Sequence, residues 1–83
     1  MKIVFTKHAK NKFKFLKELG WNLKTPDAIN DLKMPDSVQE GYSGTKVASK
    51  SINSSHNLRI VYSEKDDIIT VVTFYPVRKY RYD

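Results

Sequence analysis

Apolar positions along the 83-residue chain follow two rhythms, a helical one in the first third and an alternating one in the second half. The opening Lys2-Ile3-Val4-Phe5-Thr6 is β-prone and predicts a strand. Ala9, Phe13 and Leu16 then fall at i, i+4 and i+7, which is one face of a helix over about 7–19. Thr6 is placed to cap its start, and Gly20 to end it in the left-handed conformation that glycine adopts without strain. Trp21 and Leu23 lead to a second helix. There Thr25 is the expected cap, Pro26 the first helical residue, and Asp27 a charge that complements the helix dipole. Ala28, Ile29 and Leu32 give this helix an apolar side, and Pro35 requires an end near Lys33. Asp36 through Gly44 reads as a polar loop.

Three strands are expected in the remainder: Lys46–Ile52, Asn57–Ser63 and Ile68–Tyr75, the last ended by Pro76. The short polar connections, Asn53–His56 and the turn around Glu64–Asp67, imply antiparallel hairpins. Ile68–Phe74 is apolar on both faces, so this strand should be central. A four-residue loop Asn53–His56, closed by Ile52 and Asn57, sets Lys50 opposite Arg59 and Lys46 opposite Ser63 on one face. Leu58, Ile60 and Tyr62 then point to the other face, against the helices. A slip of one residue reverses the side taken by the two lysines. The expected fold is α+β: an N-terminal strand and two helices packed on a twisted antiparallel sheet, in one domain spanning 1–83.

Composition narrows the classes available. The chain has no cysteine, which removes disulfides and thiolate metal sites and suits a reducing compartment. Neither a signal-peptide pattern nor a run approaching the roughly 20 apolar residues of a membrane span is present, so a cytoplasmic location without membrane contact is expected. The net charge of +6 is unevenly distributed. Residues 1–24 hold seven lysines against Glu18, while 25–43 hold Lys33 against Asp27, Asp31, Asp36 and Glu40. Positive charge returns with Lys46, Lys50 and Arg59, and again with Arg78, Lys79 and Arg81. Convergence of these stretches on one surface would make a polyanion site. Lys7, Lys10, Lys14 and Lys17 form a row on one side of the first helix, where like charges repel unless an anion lies near.

Gly-rich phosphate loops, HExxH, zinc spacings and Gly-x-Ser-x-Gly elbows are all missing, and no metal or cofactor is expected. What remains is a set of Lys, Arg and Tyr residues on strands and on the tail Tyr75–Asp83. Cationic side chains suit phosphate, and tyrosine can stack on a base or move a proton, a combination fitted to single-stranded RNA. The arrangement Phe5-Thr6-Lys7-His8-Ala9, then Lys46-Val47-Ala48, Leu58-Arg59-Ile60-Val61-Tyr62 and Val71-Val72-Thr73-Phe74-Tyr75-Pro76 with a basic aromatic tail, resembles small domains associated with the RelE-like toxins. The likeness extends over nearly the whole chain in order of elements, through short hydrophobic motifs.

That resemblance implies a toxin of a toxin–antitoxin pair. It would cut mRNA on the ribosome without a metal, and a cognate antitoxin would restrain it. Arg59 matches the arginine before the Val-Tyr pair of such toxins, Lys46 and Lys50 the basic strand before it, and Arg78 with Tyr80 or Tyr82 the basic tail. In the implied reaction the ribose 2′-hydroxyl attacks its own phosphate, Arg59 and Arg78 neutralise the developing charge, and Lys50 or a tail tyrosine, Tyr80 or Tyr82, assists proton movement. Lys7, Lys10, Lys14, Lys17, Lys46 and Arg81 are the candidate RNA contacts. A non-catalytic RNA-binding or ribosome-associated module, and a protein-interaction domain that receives an acidic segment, are the alternatives.

Overall fold

The structure, a computed structural model, describes residues 2–79. The chain runs β1 (Lys2–Phe5), α1 (Lys7–Glu18), α2 (Thr25–Lys33), β2 (Ser37–Glu40), β3 (Lys46–Ser51), β4 (His56–Lys65) and β5 (Ile68–Arg78). These strands form one mixed sheet in the order β1-β5-β4-β3-β2. The fold is α+β as expected, but the sheet is not wholly antiparallel: β1 lies parallel to β5, with Lys2 opposite Ile68 and Phe5 opposite Val71. The two helices between β1 and the rest of the sheet supply the long connection that a parallel pair requires.

Local chemistry fixes the helix ends. Thr6 accepts the Ala9 N–H on its side-chain oxygen, at 3.1 Å, and donates its hydroxyl to the Val72 carbonyl. At the other end Gly20 (φ 94°) lets its own N–H reach the Lys17 carbonyl and the Trp21 N–H reach Leu16, closing the last turn. For α2 the expected cap moves back by one residue, because the Asp27 carboxylate accepts the Lys24 N–H at 3.0 Å. Lys24 therefore caps the helix and Thr25 is its first residue.

Both helices pack on one side of the sheet. Ala9 and Leu16 of α1 and Leu32 of α2 join Ala48, Leu58, Ile60, Tyr62, Ile69, Val71 and Phe74 in the core. Phe13 packs its ring 4.5 Å from that of Phe74, which is fully buried. The last strand holds Ile69, Val71 and Phe74 on this side because a bulge interrupts its alternation. Val61 pairs with Thr73 but Tyr62 with Val71, leaving Val72 as the extra residue. Pro76 does not end β5, which continues to Arg78. It lies beyond the end of β1, where a missing N–H breaks no ladder bond on that side.

Two further features depart from the sequence expectation. Ser37–Glu40, read as loop, is a strand at the sheet's edge, pairing antiparallel with β3 from Ser37↔Ser49 to Glu40↔Lys46. The β3–β4 loop is shorter by one residue. Ile52 donates its N–H to the His56 carbonyl at 3.1 Å, so only Asn53, Ser54 and Ser55 lie outside the pairing. Asn53 causes this. Its Oδ1 accepts the N–H of Ser55 at 2.8 Å, the N–H of His56 at 2.7 Å and the hydroxyl of Ser55 at 3.1 Å, drawing the chain into a tight turn.

Replacing Asn53 by alanine removes those acceptors, and the expected loss is about 1–2 kcal/mol in urea unfolding, with Asn53→Asp retaining most of the stability. An unchanged midpoint for Asn53→Ala would show that the turn is set elsewhere.

Candidate nucleic-acid interface

The register decides which cations share a face. Ser49 pairs with Arg59, Lys50 with Leu58 and Lys46 with Tyr62. Lys46 and Lys50 therefore lie on the helix-covered side with buried Leu58 and Tyr62, and Arg59 points to the opposite side. The expected Lys50–Arg59 and Lys46–Ser63 pairs do not form. This is the one-residue slip, produced by the three-residue Asn53 turn.

Both lysines meet carboxylates instead. Lys46 Nζ is 4.0 Å from Glu64, and Lys50 Nζ is 3.5 Å from Asp36. Asp36 also accepts the Ser51 N–H at 2.8 Å, and that bond, assisted by Lys50 and Lys79 and opposed by partial desolvation, holds its carboxyl below the ordinary carboxylate range. Nearby Asp31 shifts the other way. Burial raises it, Lys50 opposes the rise, and the charges of Asp27 and Asp36 add to it. Lys50 thus belongs to an internal charge network joining α2, β3 and the segment before β2.

Arg59 stands apart from that network on the other side of the sheet, which no helix covers among the described residues. Directly opposite it on β5 is Tyr75. A hollow of about 290 Å³ is lined by Ser37, Gln39, Ser49, Asn57, Arg59, Val77 and Arg78, a mixture of amide, hydroxyl and guanidinium groups without a carboxylate. Arg59 Nε is shielded from solvent and has no hydrogen-bond partner among the described residues. Hydroxyls and amides on β2, β3 and β4 complete a surface able to donate several hydrogen bonds to an anion.

Other expected residues fall elsewhere. Lys7, Lys10, Lys14 and Lys17 are exposed, but on α1, the helix packed over the sheet's other side. Tyr80 and Arg81 lie outside the described residues. Lys79 is anchored to the β3–β4 turn, donating its N–H to the Ser55 carbonyl at 2.8 Å and its Nζ to the Ser51 hydroxyl at 2.6 Å. His56 faces the helix side, with its ring edge-on to Trp21 at 4.9 Å. Of the four expected catalytic residues, Arg59 lies on the open face, and Arg78, paired with His56 at the end of β5, lines the same hollow from its rim. The hollow adds Ser37, Gln39, Ser49 and Asn57, which only the pairing of β2 with β3 and of β3 with β4 could have revealed.

No helix among the described residues is long and apolar enough to cross a membrane. No protein-family model, curated protein or solved structure matches the chain.

Asp36 is lowered in the folded protein, so its contribution to stability is present above the unfolded-state carboxyl value and is lost as pH falls through the folded one. Raised Asp31 acts oppositely, gaining relative stability on protonation. Thermal unfolding of Asp36→Asn from pH 7 to pH 3 is expected to show a flatter acid decline than the parent chain. A parallel decline would remove Asp36 from the acid response.

Proposed function

We propose that this chain acts on single-stranded RNA through the uncovered face of its sheet, as an endoribonuclease of the RelE-like toxin kind. The observation that carries the reading is Arg59: a guanidinium at the middle of an open sheet face, in a hollow lined by donors and without a carboxylate partner among the described residues. Arg78 lines the same hollow from the end of β5. The order of elements, with two helices between β1 and the remaining strands and the sequence Leu-Arg-Ile-Val-Tyr on β4, adds support from the resemblance.

Chemically, two guanidinium groups suit a phosphodiester because fixed positive charge and multiple N–H donors become more favourable as a phosphorane gathers negative charge. In the proposed reaction the 2′-oxygen bonds to phosphorus and the bond to the 5′-oxygen breaks, leaving a 2′,3′-cyclic phosphate. The hydroxyl proton passes to water and the Tyr75 phenol protonates the leaving oxygen, being regenerated from solvent. The role first given to Lys50 falls away with its ion pair to Asp36. Tyr75 takes its place as the tyrosine directly opposite Arg59. An antitoxin of the expected kind would place acidic side chains over Arg59 and Arg78 and exclude RNA.

A second reading, a non-catalytic RNA-binding module, is favoured by one observation. Lys50 lies on the other side of the sheet, and His56 turns toward Trp21, so the hollow lacks an imidazole or ammonium base among its lining residues. Both readings place RNA on the same surface and differ in turnover.

The test is cleavage of a labelled single-stranded RNA in the presence of EDTA. The parent chain is expected to yield 2′,3′-cyclic ends. Arg59→Ala should reduce the rate by about 100-fold or more while keeping the fold, and Lys50→Ala should leave the chemistry unchanged. Binding without cleavage selects the second reading, and no binding at low ionic strength rejects both.

A further inference from the structure

We infer that the RNA path continues from the Arg59 hollow around the edge of β5 to a stacking site on α1, where Phe15 receives an unpaired base. The inference rests on the RNA reading above and extends it to a surface on a different element. Its starting point is an apolar residue that the fold does not use. Phe15 is 53% exposed, although its neighbours Phe13 and Leu16 pack inward.

The route is continuous. Arg59 lies opposite Tyr75, and Val61 opposite Thr73, so Tyr75 and Thr73 share the uncovered face. They stand two residues apart on one strand, about 6.6 Å. Beyond Phe5, β5 has no second strand beside it among the described residues, and there the His8 Nε2 comes within 3.2 Å of the Thr73 hydroxyl. His8 thereby links the sheet's open face to α1 across the exposed edge.

From His8 the side chains Asn11, Lys12 and Phe15 follow at i+3, i+4 and i+7, one side of the helix, and line a groove of about 270 Å³. No carboxylate is among those lining residues. Lys12 Nζ sits 5.7 Å from the centroid of the Phe15 ring, which stays more than half exposed. An imidazole, a carboxamide, an ammonium and an exposed aromatic ring in sequence form the chemistry by which single-stranded nucleic acid is held: donors for phosphate and sugar, and a flat apolar surface for a base. Along α1 the step from His8 to Phe15 is about 10.5 Å. The whole path is about 20 Å, the scale of the ~4-nucleotide lower end of single-strand binding sites.

Stacking and charge respond differently to mutation, and that separates the two ends of the path. The probe is a fluorescently labelled, unstructured single-stranded RNA of eight nucleotides, titrated at several salt concentrations. Phe15→Leu, which keeps apolar bulk without a π face, is expected to weaken binding about tenfold with an unchanged salt slope. Phe15→Tyr should restore it. Arg59→Ala should instead flatten the salt slope by about one. If Phe15→Leu binds as tightly as the parent chain while Arg59→Ala is impaired, the stacking site is overturned and the Arg59 site stands. If both variants bind like the parent chain, neither site is used. If the parent chain binds no RNA at low salt, both fail together.

Discussion

The surface chemistry of this domain depends on one side-chain oxygen, Asn53 Oδ1, and the three donors it gathers from Ser55 and His56. Those bonds make the β3–β4 connection a three-residue turn. Because strand side chains alternate with a period of two, a loop shorter by one residue sends every side chain of β3 to the opposite face relative to β4. Lys46 and Lys50 are thereby committed to the helix side, while Ser49 stands opposite Arg59. The polar hollow exists because the β3 residue brought opposite Arg59, Ser49, is small and neutral rather than cationic.

The same dependence explains what could be read from the sequence. The first helix was legible to its ends, since Thr6, the Ala9-Phe13-Leu16 stripe and Gly20 act within one or two turns of the chain. Arg59 was legible as surface because its orientation follows from its own strand: Leu58, Ile60 and Tyr62 are buried, and the residues between them must face away. Lys46 and Lys50 were not, because their side depends on pairing with another strand. β2 was hidden for a related reason. Ser37–Glu40 has one apolar residue, Val38, and becomes a strand only because β3 offers it an unpaired edge. The parallel seating of β1 is set by Val71 and its neighbours, more than sixty positions away, and no local pattern announces it. The β5 bulge is equally silent in the sequence, where Ile68–Phe74 reads as an unbroken apolar run.

Electrostatics then sort the cations that the sequence could only count. The acidic stretch 25–43 folds against the basic strand β3, giving Lys50 to Asp36, with Asp31 close by, while Lys46 meets Glu64 from β4. Such exposed or half-exposed pairs contribute little to stability, typically about 0–1 kcal/mol each. Their consequence for function is larger, because a lysine already facing a carboxylate has less to offer a phosphate. The unequal charge balance is therefore reduced on the helix side near β3, while Arg59 and Arg78 meet no carboxylate among the described residues.

Arg59 Nε is a shielded donor that meets no acceptor among the described residues. A buried donor without an acceptor costs about 1–3 kcal/mol, a sizeable part of the roughly 5–15 kcal/mol that holds a small domain folded. A lysine at this position could bend away and keep its ammonium fully hydrated. Arginine's planar fork cannot shed its Nε so easily, and it presents several donors in a fixed geometry that matches the oxygens of a phosphate. The half-buried guanidinium, held on a rigid strand with Tyr75 across from it, is thus better suited to an arriving oxyanion than to a solvated surface. That mismatch, rather than the net charge of the chain, is the physical reason for proposing an anion site at Arg59.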